Sequence, residues 1–112
     1  MERYAINDRT ISEAVTGGGL LVVAHWEAKE GRADKVADIL GRFLPAAQAE
    51  DGAKLFLIGR AKDNPAQFLF YELFRDEAAF KAHQENAHFR TCIAGEALPL
   101  LARRERAQYA LL

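Results

Sequence analysis

The sequence predicts an α+β protein of the ferredoxin-like class, with the element order β-α-β-β-α-β around one antiparallel sheet. Four short segments have the two-residue apolar alternation of strands. Two further segments have the three- and four-residue apolar spacing of helices, and each separates one strand from the next. A short turn joins the two middle strands, so they are expected to pair as a hairpin. Right-handed crossovers then place both helices on the same face of the sheet.

The four strands are bounded by turn residues. The first, Leu20 to Trp26, is followed by the Glu30-Gly31 turn. The second runs from Lys54 to Ala61, and the Asp63-Asn64-Pro65 turn leads from it into the third. The third and fourth strands are predicted over Gln67 to Phe74 and Arg104 to Leu111.

The helices are predicted from apolar spacing and from residues that start or stop a helix. The first runs from Arg32 to Glu50, where Asp51-Gly52 ends it, and Pro45 within it predicts a kink or an early end. The second begins after Asp76, a suitable N-cap, and continues to about Glu85. A further helical stretch follows from Ala87 to about Leu101, disturbed by Gly95 and Pro99.

The chain is predicted to form one compact domain behind an N-terminal extension. Residues 1 to 16 are polar and weakly patterned, and Gly17 to Gly19 have the composition of a flexible joint. We therefore assign residues 1–19 to the extension and residues 20–112 to the domain. Half of the 112 residues are hydrophobic, which is enough for one core.

Composition and charge argue against several classes of partner. The net charge of −1 disfavours nucleic acid and acidic membrane surfaces, and the basic run Arg103, Arg104 and Arg106 is interpreted as a solvated strand end. The single cysteine, Cys92, fits a reducing cytosol. The sequence has no apolar run of about 18 residues, and its first 15 residues lack the apolar segment of a signal peptide. We therefore expect a soluble, cytoplasmic protein without a membrane-spanning segment.

The first three predicted strands are apolar on both faces, although two helices can cover only one face. An antiparallel sheet with one solvated face should instead alternate apolar and polar residues. The second face therefore needs a cover, and the simplest cover is a second copy of the same sheet. We expect a homodimer with the two sheets packed face to face.

Glu72 is the most unusual residue of the third strand. In an extended chain it shares one face with Phe68, Phe70 and Phe74. A carboxylate among three phenylalanine rings is costly unless it is hydrogen-bonded, paired or protonated. Glu72 is therefore a candidate general base or a group that orients a histidine, and the alternative is a structural carboxylate bonded to His83.

His83 and His88 follow Glu72 within one helix length. On an unbroken helix they would differ by about 140° and would not share a face. A break near Asn86 would allow both to approach a pocket. They lack the spacing of a helical metal pair, and no third ligand is evident nearby, so no metal site is expected.

These segments resemble the antibiotic biosynthesis monooxygenase (ABM) domain family of the dimeric α+β barrel superfamily. The resemblance covers roughly Leu20 to Leu111, and its most specific element is the spacing of Glu72, Phe80-Lys81-Ala82-His83 and His88-Phe89. It implies a dimeric ferredoxin-like fold that binds small molecules. The family includes cofactor-free oxygenases, quinol monooxygenases, isomerases and haem-degrading enzymes, so the resemblance does not fix the reaction.

Two departures disfavour the haem-degrading branch of the family. Members often have a tryptophan two residues after the strand glutamate, and here that position is Phe74. That branch also depends on an asparagine in the first strand, and Leu20 to Trp26 contains none.

The candidate site residues follow from these observations. The catalytic candidates are Glu72, His83 and His88. The high density of phenylalanine favours a planar aromatic ligand. For Trp26, a position in the core or in the dimer interface is the alternative. The substrate-pocket candidates are His25, Trp26, Phe43, Phe70, Phe74 and Phe80.

The leading functional hypothesis is a cofactor-independent monooxygenase that acts on a small electron-rich aromatic such as a quinol or polyphenol. A base, His83 or Glu72 acting through it, would remove a phenolic proton. The sequence shows no flavin fingerprint, haem ligand set or metal motif, so no cofactor is expected. The alternatives are an isomerase or degradation enzyme for a small carbonyl compound, and a non-catalytic domain that binds small molecules.

Overall fold

The fold is built around a four-stranded antiparallel sheet. The computed structural model describes the backbone of residues 5–6 and 9–112, and side chains from residue 12 onward. The strands of this sheet are β3 (Gly19–Ala28), β4 (Ala53–Arg60), β5 (Gln67–Phe74) and β6 (Leu101–Leu111). Their order in the sheet is β4-β5-β3-β6, so the two central strands are the first and third of the predicted set. This is the predicted ferredoxin-like arrangement.

A small N-terminal unit precedes the sheet. It consists of β1 (Ala5–Ile6), β2 (Arg9–Thr10) and the short helix α1 (Ile11–Val15). Ala14 of α1 is fully buried, and α1 contacts β4. The Lys54 ammonium of β4 donates to the carbonyl oxygens of Thr16 and Gly18 at 3.0 and 2.8 Å. The division of the chain at residues 19 and 20 stays a prediction.

Two helices lie in the crossover connections between strands of the sheet. They are α2 (Ala33–Gln48) and α3 (Glu77–Glu85). The Asp76 carboxylate accepts a hydrogen bond from the backbone N–H of Ala79 at 2.8 Å, which confirms it as the N-cap of α3. After α3 the chain forms a π-helix over Phe89–Ala97 and a 3₁₀ turn over Leu98–Leu100.

Most sequence-based boundaries agree with the structure to within two residues, and two expectations differ from it in a way that has a physical reason. The helix α2 continues past Pro45 to Gln48, so the predicted early end there is wrong. Pro45 lies in the last turn, where its missing N–H removes a single hydrogen bond, and its carbonyl still accepts from Ala49 at 3.1 Å. The last strand begins at Leu101 rather than Arg104, because Leu101 already pairs with Ala28.

The core lies between α2, α3, the π-helix and one face of the sheet. In β5 the residues Phe68, Phe70, Glu72 and Phe74 are buried on this inner face, as predicted. On the opposite face, which the two long helices do not cover, several large apolar side chains are between 40% and 53% exposed. They are Leu57, Leu69, Tyr71 and Tyr109. Within the described residues, no helix has the length and apolar character needed to cross a bilayer.

Candidate active site

The loop between α2 and β4 brings Glu50 to the helices. A Cβ at Gly52 would lie 2.3 Å from the Cβ of Ala79, so only glycine allows this loop to pack directly against α3. The backbone N–H of Arg75, just after β5, donates to the Gly52 carbonyl at 2.8 Å. This close packing keeps the Glu50 side chain against the C-terminal end of α3, where His83 lies.

A break in the chain after α3 brings His88 back towards the same point. Asn86 leaves the helical region, with φ −65° and ψ 148°, and the π-helix starts at Phe89. The sequence analysis had indicated that a break near Asn86 would be needed for both histidines to approach one pocket, and the break lies there. Because the helix is interrupted, His83 and His88 approach each other, and their ring centres are 6.5 Å apart.

Glu50 links the two histidines through one carboxylate oxygen. Its Oε2 lies 2.8 Å from Nδ1 of His83 and 2.7 Å from Nε2 of His88. The other ring nitrogen of His83, Nε2, faces Oε1 of Glu72 at 3.7 Å. The expected neighbours Glu72 and His83 therefore face each other, but at a distance too long for a direct hydrogen bond.

The hydrogen bonds to Glu50 determine the tautomer of His83. Burial by itself would raise the pKa of Glu50, but the hydrogen bonds from His83 and His88 outweigh it and hold that pKa below its usual range. Glu50 is therefore an ionised acceptor at neutral pH. When it accepts from Nδ1–H of His83, the neutral imidazole presents the lone pair of Nε2 towards Glu72.

Glu72 has the opposite electrostatic environment. Burial raises its pKa to about 8, and the charge of Glu50 adds to the shift, while Arg106 and Arg104 oppose it. The carboxyl group is thus protonated at neutral pH and can donate a proton towards Nε2 of His83. Glu50, His83 and Glu72 thus form a row of three side chains: a carboxylate, an imidazole and a carboxylic acid.

Aromatic rings enclose His83 almost completely. The side chain is only 2% exposed, and five phenylalanine rings have their centres 5.1 to 6.5 Å from its ring. The low polarity of this shell strengthens the interactions of His83 with the two carboxyl groups. The rings are those of Phe43, Phe56, Phe74, Phe80 and Phe89.

A small cavity adjoins His83 and Glu72 on the inner face of the sheet. Its volume is about 30 Å³, room for one water-sized group. Arg104 and Arg106 of β6 lie at its open side, and both side chains are exposed, as expected for a solvated strand end. The apolar walls come from Ala24, Trp26, Phe43, Phe56, Phe70, Phe80, Phe89 and Ile93.

A wider cleft of about 560 Å³ lies at the other face of the sheet, near the ends of the strands. His25, Leu69 and Glu105 line it, and Trp26 borders both spaces. Neither His83 nor Glu72 reaches this cleft. The paired carboxyl and imidazole groups therefore lie at the smaller cavity.

The structure brings together most of the residues singled out from sequence. Glu72, His83, Trp26, Phe43, Phe70 and Phe80 all border the small cavity. Phe74 lies behind it, fully buried against His83. His88 does not line the cavity and contacts Glu50 instead, and His25 is exposed in the wider cleft.

Sequence reasoning missed Glu50, and it was wrong that no third ligand-type residue lies near the two histidines. Glu50, His83 and His88 place one ligand atom each within 4.8 Å of one another, a set that could hold a metal ion. One signal was available in the sequence. An acidic residue directly after the C-terminal end of a helix is electrostatically unfavourable there and points to another partner.

Comparison with known structures supports the assignment of the fold. Protein PA3566 from Pseudomonas aeruginosa superposes with a TM-score of 0.76 at 27% identity, covering 86% of this chain and 96% of that one. SO0527 from Shewanella oneidensis gives 0.75 at 23%, covering 81% and 88%. Rv0793 from Mycobacterium tuberculosis gives 0.76 at 20%, covering 83% and 94%.

Sequence comparison identifies the family. No curated protein matches the sequence significantly. The sequence model of the antibiotic biosynthesis monooxygenase family matches residues 19–95, a span that begins with β3 and ends within the π-helix. That span is more than half of the chain and contains Glu50, Glu72 and both histidines of the site. The chain therefore belongs to the antibiotic biosynthesis monooxygenase family.

Proposed function

We propose that this protein is a cofactor-independent monooxygenase that acts on a small electron-rich aromatic substrate of the quinol or polyphenol class, with His83 as its general base. The observation that carries the proposal is the hydrogen bond from His83 Nδ1 to Glu50, at 2.8 Å. It leaves the lone pair of Nε2 on the side of Glu72, at the edge of a cavity with aromatic walls that both residues line. Glu50 is a positioning residue, since it acts through His83.

The proposed reaction begins with a proton transfer. Nε2 of His83 accepts a phenolic proton, and the imidazolium that forms is stabilised by the Glu50 carboxylate. The phenolate then gives one electron to dioxygen, and the resulting radical pair combines to form a carbon–oxygen bond. The peroxide anion takes back the proton from the His83 imidazolium and becomes a hydroperoxide. Loss of water from the hydroperoxide yields a hydroxyquinone, so one oxygen atom enters the ring and the other leaves as water.

The protein contributes mainly a dry and ordered environment. The phenylalanine shell excludes water from the phenolate, and the fixed tautomer of His83 removes the need to reorganise the base. A cavity of about 30 Å³ does not hold an aromatic ring, so the side chains at its open side must move when substrate enters. Arg104 and Arg106 are suited to such movement, since both are long side chains on an edge strand.

Oxygen consumption tests the proposal directly. Purified protein, freed of metal by a chelator, is expected to consume oxygen with a panel of quinols. His83→Ala should lower the rate by roughly 10²–10⁴, the usual contribution of a positioned general base. Lys81→Ala serves as the matched control, because Lys81 is exposed on the same helix. A fall of less than about threefold for His83→Ala would exclude His83 as the base.

The same base can also move a proton next to a carbonyl group, which is the alternative reaction class. Anaerobic assays separate the two, since an isomerase forms product without oxygen and a monooxygenase does not. Tight binding of quinols with no turnover under either condition would contradict both enzymes and favour a non-catalytic binding domain.

We also propose that the protein works as a homodimer through the face of the sheet that the long helices leave open. The support is the cluster of exposed apolar side chains on that face, which includes Leu57, Leu69 and Tyr71. An obligate interface of this kind buries about 2,000 Å² or more. Sedimentation should give a dimer at micromolar concentration, and Leu57→Glu with Leu69→Glu should give a folded monomer. A monomeric wild-type protein would contradict the proposal.

A further inference from the structure

Strand register separates the basic residues of β6 into two groups. Arg104 pairs with Trp26 and Arg106 with Ala24, and both reach the cavity that holds Glu72 and His83. Arg103 lies on the opposite face, where its guanidinium forms an ion pair with Glu105 at 3.1 Å. The alternation of a strand thus places two of the three arginines at the candidate active site.

Among the described residues, neither of the two arginines at the cavity is held by a direct contact with an acidic side chain. In the part of the chain that the structure describes, no hydrogen bond or ion pair is formed by the guanidinium of Arg104 or of Arg106. Arg106 instead lies over the ring of Phe80, 5.3 Å from its centre. Arg103, Arg60, Arg42 and Arg75 all have ion pairs.

The balance of charge at the open side of the cavity is positive. Glu72 is the acidic side chain that lines it, and burial keeps that group protonated at neutral pH. Arg104 and Arg106, two residues apart on one strand face, are about 7 Å apart at their Cα atoms and repel each other. Burial and the charge of Arg106 lower the pKa of Arg104, and the neighbouring Glu72 only partly opposes this.

We propose that Arg104 and Arg106 bind an anionic group of the ligand, so that the preferred substrates are aromatic acids whose carboxylate lies at the open side of the cavity. The identification of the ligand as a substrate rests on the proposed function. A carboxylate can accept two parallel hydrogen bonds from a guanidinium, and a second guanidinium beside it compensates the remaining charge. The aromatic ring then extends inward, towards His83 and the phenylalanine walls.

Binding of two matched quinols tests this inference. The probes are 2,5-dihydroxybenzoate and 2,5-dihydroxybenzamide, which share the same ring and differ in the charge of one group. Trp26 is the only tryptophan and lines the cavity, so its fluorescence reports occupancy, and calorimetry gives the affinity. Wild-type protein under argon is expected to bind the carboxylate about 10- to 100-fold more tightly than the amide, as expected for hydrogen bonds to a charged group.

Variants of β6 test whether Arg104 and Arg106 cause the preference for the carboxylate. Arg104→Gln with Arg106→Gln should reduce the preference for the carboxylate to less than about threefold. Arg103→Gln on the opposite face should keep the full preference, and it controls for the loss of a positive charge from the same strand. Circular dichroism establishes that each variant is folded. Equal affinity of wild-type protein for the two probes, or an unchanged preference in the double variant, would overturn the inference.

Binding under argon also separates this inference from the proposed function. A carboxylate preference that depends on Arg104 and Arg106, without oxygen consumption by any quinol, supports the anion site and refutes the monooxygenase. Oxygen consumption that depends on His83, with no preference between the two probes, supports the enzyme and refutes the anion site.

Discussion

Replacing Glu72 by glutamine should stabilise the protein at neutral pH and do so progressively as the pH rises. Glutamine has nearly the shape of a protonated glutamate and cannot ionise. Wild-type Glu72 is 6% exposed, with a pKa that burial raises from 4.5 to about 8. The folded state therefore retains a proton over a pH range in which the unfolded chain loses it.

The sign and size of the effect follow from linkage. Below about pH 4.5 both states hold the proton, and Glu72 imposes no penalty on folding. Between pH 4.5 and about 8 the unfolded state ionises alone, so stability falls by about 1.4 kcal/mol per pH unit. At pH 7 the accumulated penalty is about 3 kcal/mol. The penalty continues to grow up to about pH 8 and is constant above that pH. Against a typical total stability of about 5–15 kcal/mol, this is a large fraction.

Urea unfolding measured at several pH values provides the assay. Trp26 fluorescence follows the transition at pH 5.5, 6.5, 7.5 and 8.5, with the protein concentration held fixed because the stability of the proposed dimer depends on it. The stability difference between Glu72→Gln and wild type should grow up to about pH 8 and then level. Glu30→Gln, at an exposed turn, is the matched control. A difference that does not change with pH, or one that shrinks as pH rises, would refute the reasoning.

Three further predictions concern the surroundings of the site. Glu50→Gln should lower kcat by roughly 10²–10³ with a small effect on KM, because the amide no longer fixes the tautomer of His83. Steady-state kinetics measures both constants, and an unchanged kcat would contradict a positioning role for Glu50. Gly52→Ala should lower the free energy of unfolding by about 2 kcal/mol or more, since its Cβ would lie 2.3 Å from the Cβ of Ala79; urea unfolding should detect it, and equal stability would show that the loop can shift. Removal of residues 1 to 16 should leave a folded domain with a lower Tm, because burial of α1 is lost; thermal unfolding that is unchanged, or a chain that does not fold, would contradict this.

Local patterns in the sequence were sufficient for the fold. The apolar alternation of Gln67 to Phe74 predicted both the extent of β5 and the buried face of Glu72. The side chain of Asp76 predicted the start of α3. These features depend on residues close together in the chain, and their physical causes, side-chain alternation and helix capping, act within a few residues.

The sequence also identified His83 and the need for a break near Asn86, and it placed Glu72 beside His83, but it missed Glu50. Oε1 of Glu72 does face Nε2 of His83, at 3.7 Å, while the hydrogen bonds of His83 and His88 go to Glu50. Glu72 remains close, yet its role differs, since it is an acid held in the protonated form rather than an ionised partner.

Only the tertiary structure decided which distant side chains meet. Glu50 lies 33 residues before His83 and reaches it because Gly52 lets the loop pack directly on α3. Arg104 and Arg106 reach the cavity because the pairing of β6 with β3 fixes which face of the edge strand turns inward. The sequence by itself determined the four strands of the sheet, the two long helices and their buried faces, because those depend on local periodicity. The composition of the site depended on loop packing and strand register, which no local pattern in the chain specifies.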